Sequence, residues 1–143
     1  YRDRMQGYLD ALREAGLPFD PLWVRIGALG IEDGRHYARQ LMESVKPDAI
    51  FSASDYAAIG AVQYLRECGV AIPRQVGIVG FANELFDSLV TPALSSVDQH
   101  SEQMGQAAAH SFFSLAGGAP NHSPVLQTII KPTLIVRDSS KRR

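Results

Sequence analysis

Apolar side chains recur along this chain with two alternating spacings. Over residues 3–15, Met5, Tyr8, Leu9 and Leu12 fall on one stripe at three- and four-residue intervals, the pattern of an amphipathic helix. Gly16 ends that helix and Pro18 prevents its restart. Past Pro21, residues 23–26 predict a short strand, with residues 27–30 the loop leaving it. A second helix is predicted over 31–45, with Tyr37, Leu41 and Met42 facing inward and Pro47 just beyond. Residues 49–52, AIFS, predict a second strand. Ser54 and Asp55 then supply an N-cap signal for a third helix over 56–67. Gly69 stops it, and Ile72-Pro73 marks the turn into a third strand over 76–79. Strand and helix alternate with short links. That order predicts an α/β fold: an open, mainly parallel sheet with right-handed crossovers and helices on both faces, three layers in all.

The alternation breaks at the end of the third strand. Residues 78–99 read IVGFANELFDSLVTPALSSVDQ: a buried run, a polar-tipped loop, Thr91-Pro92, and a short strand-like piece over 94–97. A strand that opens into an irregular loop is where open α/β sheets form ligand crevices, although it also describes an ordinary connection. In a parallel sheet the C-terminal strand ends share one edge. Leu29 follows the first strand, Ser54 and Asp55 the second, Ala82 and Asn83 the third, and Gln99 the short piece, so scattered residues are expected on one rim. Arg4 joins them if an earlier strand feeds the first helix. A further helix is predicted over 101–115, with Met104, Ala107, Ala108 and Phe112 on its apolar side and Gly117-Gly118 at its end. A polar loop over 119–124 and two strands, over 125–130 and 133–136, complete the chain.

The 143 residues suffice for one real core, burying roughly two thirds of the unfolded surface. With 45% apolar and 20% charged residues the composition is that of a soluble globular domain, and a net charge of −1 gives the chain as a whole no electrostatic claim on nucleic acid. The basic cluster Lys141, Arg142 and Arg143 is expected to be a frayed, solvated tail. A single cysteine, Cys68, cannot form an internal disulfide; it is expected to be a small, partly buried side chain in a reducing compartment. No apolar run approaches the ~18 residues needed to span a membrane. The chain opens inside a helix pattern and without Met, so we expect it to be part of something longer.

Catalytic signatures are missing from the pattern. His36, His100, His110 and His122 have no metal-ligand spacing. There is no GxSxG elbow, no GK[ST] after Gly27 and Gly30, and no carboxylate pair, since Glu32 and Asp33 read as negative charge at a helix N-terminus. We therefore expect no metal and no cofactor, and a binding module rather than an enzyme.

Three motifs then carry a resemblance. Arg4, Gly7, Tyr8, Ala11, Leu12 and Gly16 match RxxGYxxALxxxG. The stretch from Asp48 through Ile50, Asp55, Ala58, Gly60, Leu65 and Gly69 to Pro73 matches PDAIFxxxDxxAxGAxxxLxxxGxxIP. Val76 to Phe81, with Thr91-Pro92, Leu94, Val97 and Gln99, is similar to VxVVGF…TPxLTTVxQ. In that order and spacing they resemble the lactose and galactose repressors, the LacI/GalR family, over nearly the whole chain.

The resemblance implies the C-terminal lobe of the effector-binding core of a cytoplasmic bacterial transcription regulator, with a fold like one lobe of a type I periplasmic binding protein. Residues 1–100 would form the lobe, residues 101–131 would be a helix and strand that belong to the other lobe, and residues 132–143 a return strand and tail. The effector, a sugar or sugar derivative, would be bound by Arg4, Leu29, Ser54, Asp55, Ala82, Asn83 and Gln99. Arg4 would hold effector oxygens with its donor fork. Leu29 stands where the family often has a stacking aromatic, and Asp55 serves either the ligand or its own helix as a cap. The carboxylate that many sugar-binding members have after the Gly-aromatic pair is replaced by Ala82; either the Asn83 amide substitutes for it or the ligand differs, an acidic one such as a sugar acid. Ile59, Phe86, Leu89 and Val90, next to Leu85, would form a homodimer interface, and operator DNA would be contacted only through an N-terminal helix-turn-helix domain outside this sequence. The alternative is an extracytoplasmic sugar-binding protein of a transporter; a small α/β enzyme is a weaker third.

Overall fold

The protein is described from a computed structural model covering residues 2–116 and 127–142. In chain order the elements are α1 (Arg2–Glu14), α2 (Ile31–Ser44), β1 (Ala49–Phe51), α3 (Asp55–Glu67), β2 (Gly77–Ala82), β3 (Ser95–Asp98), α4 (Ser101–Ala116) and β4 (Thr133–Ile135). Two 3-10 turns, Pro21–Trp23 and Leu85–Ser88, lie in the connections. The sheet runs in the order β1-β2-β3-β4. Ala49 pairs with Gly77 and Val79 with Ser95 in parallel ladders, and β4 closes the sheet antiparallel, with Thr133 opposite Asp98.

Alternation along β2 decides which side is dry. Ile78 is fully buried against a cluster of Ala58, Leu65, Val76 and Leu94. α3 supplies the small residues of that cluster, and small residues let helices approach. A Cβ on Gly34 of α2 would lie 2.0 Å from the Ala57 carbonyl oxygen, and one on Gly60 of α3 1.9 Å from that of Ile31. Only glycine permits this crossing. Across it, the Arg35 guanidinium makes a paired contact with the Glu67 carboxylate, at 2.8 and 2.7 Å.

Several expectations need correction. Residues 23–26 do not form a strand. Asp20 accepts from the Leu22 N–H and Pro21 occupies the first turn, so Pro21–Trp23 is a 3-10 turn. The backbone beyond is held by a side chain instead of a neighbouring strand: Arg25 donates to the carbonyls of Leu22 and Val24, and to Gln40 and Ser44 of α2. The strand expected over 125–130 is absent over residues 127–130, which are irregular; residues 117–126 lie outside the described part. β2 extends to Ala82, beyond the expected residue 79, because its last residues pair with β3. Cys68 is exposed at the end of α3 rather than partly buried.

The C-terminal stretch is not a loose tail. Ser139 is fully buried, its N–H donates to the Ala93 carbonyl and its carbonyl accepts from Ile78 N–H. Its hydroxyl donates to the Ile78 carbonyl at 2.7 Å and accepts from Ser95 N–H at 2.8 Å. Arg142 donates to the carbonyls of Pro73 and Asp48. By contrast α4 buries no residue: Phe112 is 65% exposed and Phe113 70%.

Candidate ligand-binding rim

The C-terminal ends of β1, β2 and β3 gather the polar side chains. Arg4, in the first turn of α1, lies with its guanidinium 3.7 Å from the Phe81 ring centroid on the face of β2 away from α3. It also donates to the Ala53 carbonyl just past β1, at 2.5 Å. One side chain thus bridges α1, the β1 exit and the β2 exit.

At the end of β2 the backbone enters the left-handed region at two consecutive non-glycine residues, with φ of 134° at Ala82 and 59° at Asn83. Such conformations persist only where surrounding contacts over-determine them, and they concentrate at functional sites. Asn83 supplies those contacts. Its N–H donates to Ser96 Oγ at 3.0 Å, its amide nitrogen to Asp98 Oδ2 at 3.2 Å, and its amide oxygen accepts from the Arg137 guanidinium at 2.7 Å. Asp98 also accepts from the His100 N–H at 2.7 Å, which fixes the chain on either side of Gln99.

Asp55 begins α3 but does not cap it. Ser54 holds the N-cap position without a side-chain cap bond. The Asp55 carboxylate is fully buried and points across the sheet ends, where Ser96 Oγ lies 2.8 Å from Oδ1 and donates to it, and Glu84 N–H reaches Oδ2 at 3.2 Å. Space for it comes from Gly80, whose absent Cβ would lie 1.9 Å from Asp55 Oδ1.

Arg4, Ser54, Asp55, Ala82, Asn83 and Gln99 therefore come from separated parts of the chain to one edge. Ser54, Ala82, Asn83 and Gln99 are half-buried there, whereas Asp55 faces inward as a support. Leu29 is half-buried on the loop entering α2, whose first turn lies against Gly60 further along α3. Of the residues expected at an interface, Ile59 and Val90 pack on the core cluster. Phe86 makes an edge contact with Tyr56 at 5.0 Å, while Leu89 is 81% exposed beside Leu85 at 91%.

Two residues of this region were not anticipated. Arg137, at the end of β4, donates to Asn83 and, at 2.7 Å, to the Leu94 carbonyl. Asp87, in the 3-10 turn Leu85–Ser88, is fully buried, and among the described residues no group donates a hydrogen bond to either of its carboxylate oxygens. Burial, and then the adjacent Asp55 carboxylate, push the Asp87 carboxyl up from 3.8 to about 7, against the opposing pull of Arg137.

The rim is an open edge rather than a closed pocket. A shallow groove of about 280 Å³ runs along β1, lined by Ala49, Ile50, Phe51, Gly77, Val79 and Arg142 among others, and a broader depression borders α4. Among the described residues no group of His, Cys, Asp and Glu is arranged to hold a metal ion, and no helix is long and apolar enough to cross a membrane.

Comparison with known proteins completes the geometry. The profile of the periplasmic binding protein-like domain matches residues 1–140. The chain belongs to that family. Within it, the chain is 33% identical over 138 residues to the HTH-type transcriptional repressor PurR of Photorhabdus laumondii, covering 95% of this chain and 40% of that protein. It is 31% identical to the HTH-type transcriptional regulator CelR of Thermobifida fusca, over 96% of this chain and 40% of that protein. Among solved structures, the transcription regulator CcpA of Lactococcus lactis superposes with a TM-score of 0.89 at 27% identity, over 98% of this chain and 51% of that one. A CelR–cellobiose complex gives 0.88 at 30% identity, over 96% and 42%. The chain thus spans less than half the length of the curated relatives it matches, and the periplasmic binding protein-like fold is here the one used by LacI-family regulators.

Proposed function

We propose that this chain is the C-terminal effector-binding lobe of a LacI-type transcriptional regulator. The rim around Arg4 and Asn83 would take a sugar or sugar acid. Binding would change how this lobe closes on its partner lobe, and so bias two arrangements of DNA-binding heads carried elsewhere in the protein. The function is sensing and switching without chemical turnover, in the cytoplasm, as a homodimer that reaches operator DNA only through a separate N-terminal domain. Residues 1–100 and 132–143 make up the lobe, and α4 with the residues after it belongs to the partner lobe, which accounts for a helix that buries nothing here.

The observation that carries this reading is the double left-handed turn at Ala82-Asn83, held by Ser96, Asp98 and Arg137 directly beside the cation of Arg4. It is a rigid polar corner with a fork of donors, which suits recognition of ligand oxygens. Ala82 brings no carboxylate to this corner, so acidic sugars are favoured over neutral ones. The relatives named above are regulators, which favours a regulator over a transport protein.

The test is calorimetry of the full-length protein against a panel of neutral sugars and uronates. We expect saturable binding of a uronate, weakened about tenfold or more by Arg4→Ala, a change of roughly 1.4 kcal/mol. Tighter binding of neutral sugars would remove the acid preference. Binding unaffected by both Arg4→Ala and Asn83→Ala would remove the rim itself.

A further inference from the structure

Glu84 donates its N–H to Asp55 and accepts at its carbonyl from the Asp87 N–H, so two fully buried carboxyl groups lie close behind the rim with few donors for two charges. Asp55 and Asp87 are both fully buried. Asp55 receives the Ser96 hydroxyl and the Glu84 N–H. Asp87 receives nothing from any N–H or O–H of the described residues. The charged groups facing Asp87 are Asp55 from α3, Glu84 from its own loop, and Arg137 from the end of β4. Arg137 Nη1 stands 4.0 Å from Asp87 Oδ2, beyond hydrogen-bond distance, and donates instead to the Leu94 carbonyl, while Nη2 donates to Asn83. A bare carboxylate in such a position would forfeit its hydration with no hydrogen bond in return. A proton on one carboxyl, donated to the other, removes a charge and satisfies an acceptor at once. That is how closely placed acid pairs settle, with the proton belonging to the pair and not to either member.

We propose that Asp55 and Asp87 hold one proton between them and that this proton latches the loop around Leu85–Ser88 to the rim. Arg137 is the part that responds. While the pair carries a single negative charge, the guanidinium is free to serve Asn83. When the shared proton leaves, Asp87 becomes a second buried anion, and Arg137 is the cation nearest to it. Drawing the guanidinium across loosens its bond to the Asn83 amide oxygen, and Asn83 is what fixes the left-handed corner. Loss of one proton therefore reaches both the corner at Asn83 and, through the backbone of Asp87, the exposed loop bearing Leu85 and Leu89. The shared proton stands whether or not the rim binds a sugar; its bearing on effector affinity rests on that reading.

Infrared spectroscopy of the full chain in D2O tests the proton directly. A carbonyl band of a protonated carboxylic acid should be present at neutral pD, titrate away under alkaline conditions, and be missing in Asp87→Asn, whose amide replaces the donated proton. The latch is read from the Asn83 side-chain amide resonance, which should shift with the same midpoint as the infrared band in the wild type and stay constant in Asp87→Asn. Should Asp87→Asn fail to fold, the wild-type band and the Asn83 titration still decide. No protonated band at neutral pD overturns the shared proton. A band that titrates while the Asn83 resonance stays still overturns the latch. Neither result touches sugar binding, which calorimetry scores separately.

Discussion

The Arg4 guanidinium stacks 3.7 Å from the centre of the Phe81 ring while donating to the Ala53 carbonyl, and so pins α1 to two strand ends at once. The cation–π contact contributes about 1 kcal/mol in a half-buried setting. A charge-assisted hydrogen bond adds about 1.5 kcal/mol or more. We expect Arg4→Ala to destabilise the protein by about 2 kcal/mol, measured as a lower denaturant midpoint, and to weaken effector binding. Arg4→Lys keeps the charge but not the planar fork. It should recover part of the stability and little of the binding; full recovery of binding would mean that charge alone is read.

The glycines sort into tight and open sites. Gly34→Ala or Gly60→Ala puts a methyl about 2 Å from a backbone carbonyl oxygen of the facing helix, and backbone cannot move aside cheaply. Each should cost about 3 kcal/mol or more and push α2 away from α3. Gly105 in α4 has nothing near its missing Cβ. Gly105→Ala should stabilise that helix by about 0.5–1 kcal/mol through propensity alone. Thermal melts of the three variants separate the cases, and equal effects would refute the close crossing.

Ser139 joins the backbones of β2 and β3 through one hydroxyl, between the Ile78 carbonyl and the Ser95 N–H. Ser139→Ala leaves a buried donor and a buried acceptor unsatisfied, at about 1–3 kcal/mol. Ser139→Cys, larger and a weaker hydrogen-bonder, should not restore it. Hydrogen exchange at Ser95 N–H, slow in the wild type, should become fast in Ser139→Ala.

Local pattern was enough for the helices and for β1 and β2, because each needs only spacing and a stop signal: the Met5, Tyr8, Leu9, Leu12 stripe, Gly69, Pro73. It also put Asp55, Asn83 and Gln99 on one edge, since the ends of parallel strands share it, whereas Arg4 was expected there only if an earlier strand feeds α1. What spacing does not encode is which side chain replaces a ladder. Residues 23–26 look strand-like, yet Arg25 binds the Leu22 and Val24 carbonyls from within the segment. Lys141 and Arg142 are exposed, as their charge implies, but Ser139, one polar letter in the preceding RDSS, is fully buried and carried no signal of it. Asp87 gave no signal at all: an acid among apolar neighbours in a loop reads as surface, and only the fold shows that it meets Asp55.

Stability should fall as pH rises through the neutral range. The Asp87 carboxyl is raised in the folded state from 3.8 to about 7. Between those values the native protein holds a proton that the unfolded chain has lost, so the unfolded state binds fewer protons and stability declines with pH. The stabilising contribution is complete below about pH 4, shrinks from there to about pH 7, and is gone above it, where both states are ionised. Its full extent is on the order of a few kcal/mol. Asp87→Asn should flatten this slope in urea unfolding measured at several pH values between 5 and 8. An unchanged slope would place the titration elsewhere.

The loop that carries Asp87 also carries the most exposed apolar side chains of the rim region, Leu85 at 91% and Leu89 at 81%, with Tyr56 half exposed and Phe86 edge-on to it. Asp87 faces inward between them, so the turn is anchored at its centre and its flanks project outward. Leu85 and Leu89 make almost no contact within this chain, and replacing both by Ser should change the stability of the isolated fold by no more than about 0.5 kcal/mol each. If a second copy covers them, the same change removes buried apolar surface from both sides of the interface and should raise the dimer dissociation constant by about ten-thousandfold, the two leucines from each of the two copies being worth roughly 1.5 kcal/mol or more apiece. Sedimentation equilibrium of the full-length protein distinguishes the two: dissociation without loss of fold assigns the face to self-association, whereas an unaltered dimer leaves those leucines outside the interface.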